Sequence, residues 1–187
     1  MTAPALGLAA LLVRRMAHDL AAPLAALSTL AGLRGADPLE AEAIRCLAGR
    51  LALFRAVFSG MPDGAPDSEA VRRALAEAFG GVDRVVLDLA PGAPGRSVRA
   101  GLALALDVGR LLDGTGSMRL TVAPGGEVLI EAGPLAGAVP ASLAAVAAGE
   151  AAAGPEEAGA AVAVALLGPA LLAAEGSRLR LCLPAAA

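Results

Sequence analysis

The chain contains a single histidine, His18, and the residues beside it decide what chemistry it could perform. The imidazole is the side chain whose ordinary pKa lies near neutral pH, so it can act there as a nucleophile or as a proton carrier. His18 lies within RRMAHDLAAPL, residues 14–24. Asp19 could orient the ring or accept its proton. Arg14 and Arg15, one helical turn earlier, could offset the charge of a phosphoryl group.

His18 is predicted to point away from the core. In the predicted first helix, about Pro4 to Leu33, apolar residues recur every three or four positions, which is typical of one buried face. This stripe comprises Val13, Met16, Leu20, Leu24, Leu27 and Ala31. At about 100° per residue, it lies on the side of the helix opposite His18. The side chains within about 60° of His18 are Leu11, Arg14, Arg15, Ala22, Ala25 and Thr29.

Two plainer interpretations of His18 stay open at this point. A structural histidine would lie on or beside the buried stripe with its nitrogens hydrogen-bonded, and the helical position of His18 argues against that. An exposed histidine without a role fits the same position. The neighbouring residues favour a reactive one, because the small Ala22 and Ala25 would let the backbone of another protein approach the ring.

A second helix is predicted to begin at Asp37-Pro38-Leu39-Glu40, where Asp37 can cap, Pro38 suits the first turn and Glu40 can close a capping box. Its apolar positions form a coiled-coil-like seam. The seam residues are Ile44, Leu47, Leu51, Phe54 and Phe58. Because a lone hairpin buries only one side of each helix, a second copy is expected to complete a four-helix bundle.

After a linker at residues 60–66, the pattern changes to a small α/β sandwich with helices on one face of a mixed sheet. The predicted helices are Ser68–Phe79, Ser97–Leu112, Ala141–Gly149 and Pro155–Ala174, and the predicted strands are Arg84–Leu89, Met118–Ala123, Glu127–Ala132 and Ser177–Leu183. The expected fold class is therefore α+β, with a helical-hairpin domain over residues 1–60 and an α/β domain over residues 67–187.

Composition excludes several functional classes. The 187 residues carry a net charge of −3 with no basic run, which argues against nucleic-acid binding. One histidine and two isolated cysteines, Cys46 and Cys182, give no metal-binding pattern and are typical of a reduced cytoplasmic protein. The N-terminus is apolar before it is basic, the reverse of a signal peptide. The uncharged stretch Ala158–Ala174 is short for a membrane span and contains Gly168-Pro169, so no membrane association is expected.

Residues 18–24, HDLAAPL, resemble the phospho-acceptor box of sensor histidine kinases, in which His is followed by Glu or Asp, Leu, two variable residues, Pro and Leu. The hairpin resembles the dimerisation and histidine-phosphotransfer domain of those kinases. The remainder is similar in element order to their ATP-binding domain, which has the Bergerat or GHKL fold.

The second half departs from the kinase pattern. Those kinases carry an Asn on the first long helix after the hairpin, where it holds the magnesium of ATP, and this chain has no Asn at all. Their Asp-x-Gly and Gly-rich lid motifs are also absent. Asp113-Gly114-Thr115-Gly116 is a short Gly-rich run that indicates a phosphate loop only weakly. The combination resembles the ChpT-type histidine phosphotransferases of bacterial phosphorelays, which have a degenerate ATPase-like C-terminal domain.

This resemblance implies that His18 accepts a phosphoryl group from the phospho-Asp of one receiver domain and passes it to another, without ATP binding. Asp19 would assist His18, and a docking surface would surround it. The docking residues are Leu11, Arg14, Arg15, Ala22, Ala25 and Thr29. The expected partners are response-regulator receiver domains, which would bring magnesium with them, and a second copy of the chain. No cofactor or metal of its own is expected.

Two alternatives remain beside this hypothesis. One is an active sensor-histidine-kinase core with divergent ATP motifs. The other is a non-catalytic dimeric adaptor in which His18 is incidental. The kinase's Thr or Asn four residues after the histidine is Ala22 here, so the resemblance implies no phosphatase activity.

Overall fold

A computed structural model of the chain describes residues 20–21, 24–35, 37–58, 66–81, 83–151 and 157–185. Within these ranges, six helices and five strands form an α+β architecture. The first helix, α1, comprises the helical residues 20–21 and 24–34. The other elements are α2 (Pro38–Phe58), α3 (Ser68–Phe79), β1 (Val85–Leu89), α4 (Gly95–Val108), β2 (Leu112–Val122), β3 (Val128–Leu135), α5 (Ala141–Ala147), α6 (Ala158–Leu167), β4 (Leu171–Glu175) and β5 (Arg178–Leu183).

The turn between α1 and α2 has the predicted chemistry. Gly35 follows α1 with φ of +67°, a left-handed conformation that glycine adopts without a steric penalty. The Asp37 side chain then accepts a hydrogen bond from the Leu39 N–H at 2.7 Å, and α2 begins at Pro38. The predicted helix start is confirmed, because Asp37 satisfies one of the N–H groups that the first turn leaves unpaired.

The predicted seam of α2 is not the face that α2 buries within one chain, and its burial by a second copy stays a prediction. The buried residues of α2 are Gly49, Leu53 and Val57, which face α3 and α4. Gly49 lets α3 approach closely, since a Cβ at this position would lie 2.5 Å from the Ala78 nitrogen. Leu47 and Phe54 of the seam are exposed, and the other three seam residues are half-buried.

The sheet is mixed, with strand order β1-β2-β3-β5-β4. β1 and β2 are parallel, and every other neighbouring pair is antiparallel. The register places one row of buried side chains across the central strands, against the helices: Leu87, Leu120, Ile130 and Leu181. The alternate row, Val86, Arg119, Glu131 and Arg180, is exposed on the other face. The predicted arrangement, with helices on one face of a mixed sheet, is therefore what the chain forms.

Three predicted helices have different bounds, and the one expected over Ala141–Gly149 ends at Ala147. The helix expected over Pro155–Ala174 ends at Leu167, and Leu171–Glu175 is instead a strand paired with β5. Gly168, with φ of +94°, and Pro169 end the helix, and backbone pairing with β5 then fixes the extended conformation. The helix expected from Ser97 begins at Gly95 after Pro94, so Ser97 lies buried inside the first turn and is not its cap.

Candidate functional site

Most of the predicted site falls outside the described residues. The site residues that lie outside the described ranges are His18, Asp19, Leu11, Arg14, Arg15 and Ala22. Val13 and Met16 of the predicted stripe also lie outside them. The structure therefore places two of the predicted docking residues, Ala25 and Thr29.

Ala25 and Thr29 lie one turn apart on α1, and both are exposed. The Thr29 hydroxyl donates a hydrogen bond to the Ala25 carbonyl at 2.9 Å, so its polar end is already paired with the helix backbone. Leu24 and Ala31 are buried. The sequence-predicted stripe is thus confirmed at these two positions, while Leu20 and Leu27 of the same stripe remain half exposed in the single chain.

A groove of about 240 Å³ lies where the hairpin meets the α/β unit. It is lined by Arg50, Phe54 and Phe58 of α2 and by Leu106 of α4. Ala158 and Gly159 in the first turn of α6 also line it. Most of this lining is apolar, and its charged members are Arg50, Asp107 and Arg110.

Asp107, on the α4 wall of this groove, is a residue that the sequence analysis missed. Its carboxylate accepts a hydrogen bond from the Ala160 N–H at 2.7 Å and pairs with Arg110 at 3.2 Å. Burial raises the pKa of Asp107 to about 6, against the opposing effect of the Ala160 hydrogen bond and the Arg110 charge. The available signal was an acidic residue placed between Leu106 and Val108 of an apolar helix.

The Gly-rich run at Asp113–Gly116 has a structural role at the irregular start of β2. The Asp113 carboxylate accepts hydrogen bonds from the Thr115 N–H and hydroxyl, at 2.6 and 2.8 Å, which lower the pKa of Asp113. Arg84 donates to the carbonyls of Gly116 and Asp113. A Cβ on Gly116 would collide with the Pro134 carbonyl. The polar groups of Asp113–Gly116 are thus paired within the protein, and these contacts account for the Gly-rich sequence without a bound phosphate.

Two further features can be stated for the described part of the chain. No group of three or more His, Cys, Asp or Glu side chains comes together there as a metal-binding cluster. Neither does any helix in those ranges have the length and apolar character needed to cross a membrane. Cys46 and Cys182 are half-buried free thiols, and the Cys46 Sγ lies 3.2 Å from the Ala78 carbonyl oxygen.

Among solved structures, the chain is similar to a bacterial phosphotransferase, with a TM-score of 0.62 and 20% sequence identity over 98% of each chain. It thus has the fold of that phosphotransferase along almost its whole length. A second similar structure is full-length ShkA in complex with AMPPNP, with 16% identity over 93% of this chain and 45% of that one. Its TM-score of 0.41 is too low to establish a shared fold. No protein-family model and no curated protein sequence matches the chain.

Proposed function

We propose that the protein is a phosphorelay histidine phosphotransferase. In this proposal, His18 carries a phosphoryl group between the aspartates of two receiver domains, and the chain does not bind ATP. The observation that carries it is the fold shared with a bacterial phosphotransferase over 98% of both chains, in a protein whose single histidine lies in a phospho-acceptor-like box.

The exposed face of α1 supports this assignment. If the predicted helix runs back to His18, Ala25 and Thr29 lie within about 20° of it on the helical wheel. Both are exposed, whereas Leu24 and Ala31 are buried. A partner that docked over Ala25 and Thr29 would therefore cover the side of the helix that carries the imidazole.

The proposed reaction is an in-line displacement at phosphorus. The Nε2 lone pair of neutral His18 attacks the aspartyl phosphate, an N–P bond forms, and the P–O bond to the receiver carboxylate breaks. The carboxylate leaves with the electron pair, and the imidazole, protonated at Nδ1 and phosphorylated at Nε2, gives its Nδ1 proton to Asp19 or to water. Since charge gathers on the transferred oxygens, positioning and electrostatics account for most of the catalysis.

The remaining residues have supporting roles in this proposal. Arg14 and Arg15 precede His18 by four and three residues in the sequence and would offset the phosphoryl charge. Leu11, Ala22, Ala25 and Thr29 would form the docking surface, with magnesium held by the receiver domain. A second copy of the chain would complete a four-helix bundle, and the hairpin and the α/β unit would act as the two domains expected from the sequence.

Transfer of radioactive phosphate tests the proposal directly. Receiver domains from the source organism are phosphorylated with ³²P-acetyl phosphate, freed of the donor and mixed with wild-type protein or His18→Ala. Label should move to the wild type in an acid-labile, alkali-stable linkage and should not move to His18→Ala. If the label stays on every receiver domain, the proposal is contradicted and the non-catalytic adaptor is the alternative that remains. Labelling of His18 by γ-³²P-ATP alone would replace the proposal with the kinase alternative.

A further inference from the structure

Aromatic residues are scarce in this chain, and two of the three line one groove. Phe54, Phe58 and Phe79 are the aromatic residues of the sequence. Phe79 is buried in the core, whereas Phe54 and Phe58 line the groove where the hairpin meets the α/β unit. Phe54 is 40% exposed and Phe58 is half-buried, so neither belongs to the sealed core. Partly exposed aromatic residues in a concave site are typical of ligand recognition.

The charge that this groove leaves unmatched is positive. Asp107 uses both of its carboxylate oxygens within the protein, one for the Ala160 N–H at 2.7 Å and the other for Arg110 at 3.2 Å. Arg50 also lines the groove, and it forms no ion pair with a carboxylate in the described part of the chain. Glu157 is buried and is not a lining residue. The charge available to a ligand is therefore that of a guanidinium, whose planar set of donors suits a carboxylate.

The volume of the groove limits the size of its ligand. An apolar cavity of about 150 Å³ holds benzene, and sites for drug-sized ligands have volumes of about 300–1,000 Å³. The groove lies between these sizes, at about 240 Å³. It therefore accommodates one aromatic ring or two fused rings. A compact ligand of that kind which also satisfied Arg50 would be an aromatic acid.

We propose that this groove binds a small aromatic carboxylate, with its ring packed against Phe54 and Phe58 and its carboxylate paired with Arg50. Ala103 and Leu106 of α4 supply further apolar surface for the ring. Packing the ring there removes apolar area from water, and the ion pair gains strength because the surroundings are less polar than bulk water. Since the lining residues come from α2, α4 and α6, the ligand would bridge the hairpin and the α/β unit. This proposal concerns the groove alone and does not depend on the proposed function.

Two matched probes test the ring and the charge separately. Naphthoate carries two fused rings and a carboxylate, and its amide, naphthamide, has nearly the same shape without the charge. In ¹H–¹⁵N NMR titrations of the wild type, naphthoate should bind with a millimolar dissociation constant or tighter, and about fivefold more tightly than naphthamide. The backbone amides of Phe54, Leu106 and Gly159 should shift, because these residues line the groove, and that of Ile130 in β3 should not.

Substitutions then assign the two parts of the ligand. Arg50→Gln should weaken naphthoate binding about fivefold and leave naphthamide binding unchanged, so that the preference for the acid is lost. Arg45→Gln is the matched control, because Arg45 is an exposed arginine of the same helix that pairs with Glu42 and does not line the groove. It should leave both dissociation constants unchanged. Phe54→Ala should weaken the binding of both probes about tenfold, because both lose the same ring contact.

Three outcomes would overturn the proposal. Failure of both probes to bind the wild type at millimolar concentrations would show that the groove is filled in solution, by a second copy or by another part of the chain. Equal affinity for naphthoate and naphthamide would remove the carboxylate from the proposed ligand. A preference for the acid that persists in Arg50→Gln would remove Arg50 from the site. Because the first two outcomes are measured on the wild type, they decide the matter even if a variant fails to fold.

Discussion

At the scale of single residues, the closest helix contacts depend on glycines that a hydrophobic pattern does not detect. Gly49 contributes no apolar side chain, yet it marks where α3 meets α2. A Cβ there would lie within 2.7 Å of Ala74, Glu77 and Ala78. The sequence pattern selected the apolar seam of α2, and α3 instead packs against the face that contains Gly49. Asp107 was not predicted either, because a local sequence pattern does not detect its partner Ala160, which lies 53 residues away in the chain.

Gly49→Ala should destabilise the protein, because α2 and α3 would have to separate. Overpacking of this kind costs about 1–3 kcal/mol, partly offset by about 1 kcal/mol of improved helix propensity. The free energy of unfolding from urea titration, at one fixed protein concentration, measures the net loss.

Gly32→Ala is the matched control. Gly32 lies in α1, where an added Cβ would meet no atom of any other element within 4 Å, so the same change should gain about 0.5–1 kcal/mol. Equal effects at the two positions would show that the approach of α3 to Gly49 does not limit stability.

At the scale of elements, local signals located the helices and strands well where turn chemistry was explicit. α3 has the predicted bounds because Asp67 caps its start, accepting from the Glu69 N–H at 3.0 Å, and Gly80 ends it with φ of +85°. Pro124-Gly125-Gly126 marks the β2–β3 hairpin as expected. β4 was missed because a short uncharged apolar run fits a buried helix as well as a strand, and pairing with β5 decides between them.

α1 carries the functional prediction at this scale, because Leu24 and Ala31 are buried while Ala25 and Thr29, on another side of the helix, are exposed. Ala25→Glu should leave folding intact, since residue 25 is exposed, but should place an unpaired charge in the proposed receiver contact. We expect kcat/KM for phosphoryl transfer from a phosphorylated receiver to fall about tenfold or more, mainly through KM. Single-turnover transfer measured against receiver concentration separates the two parameters.

Ala70→Glu serves as the control for that substitution. Ala70 is also exposed, but it lies in the first turn of α3, where an acidic residue is tolerated by the helix dipole. This variant should transfer phosphate like the wild type. A loss of transfer equal to that of Ala25→Glu would remove the α1 face from the docking surface while leaving His18 as the acceptor.

At the scale of the whole molecule, exposed apolar side chains are concentrated in the hairpin. Among the described residues, seven of the nine large exposed hydrophobic side chains lie between residues 20 and 54. They are Leu20, Leu27, Leu30, Leu33, Leu39, Leu47 and Phe54. A concentration of large exposed apolar side chains in one part of a protein is typical of a protein–protein interface. The seam that is unburied within one chain therefore has the properties expected of a surface that a second copy covers.

Leu47→Glu tests this assembly. In light scattering, the wild type should have twice the chain mass of 18.2 kDa, and Leu47→Glu should shift towards the single-chain mass because it places a charge in an apolar interface. Leu171→Glu is the control, since Leu171 is 80% exposed on the edge strand β4, outside the hairpin, and this variant should remain a dimer. Since α1 would be covered by the second copy on its Leu27 side and left open at Ala25, loss of the dimer should also slow phosphoryl transfer to His18. A wild type that stays a single chain at tens of micromolar, with full transfer activity, would refute both the bundle and its link to the reaction.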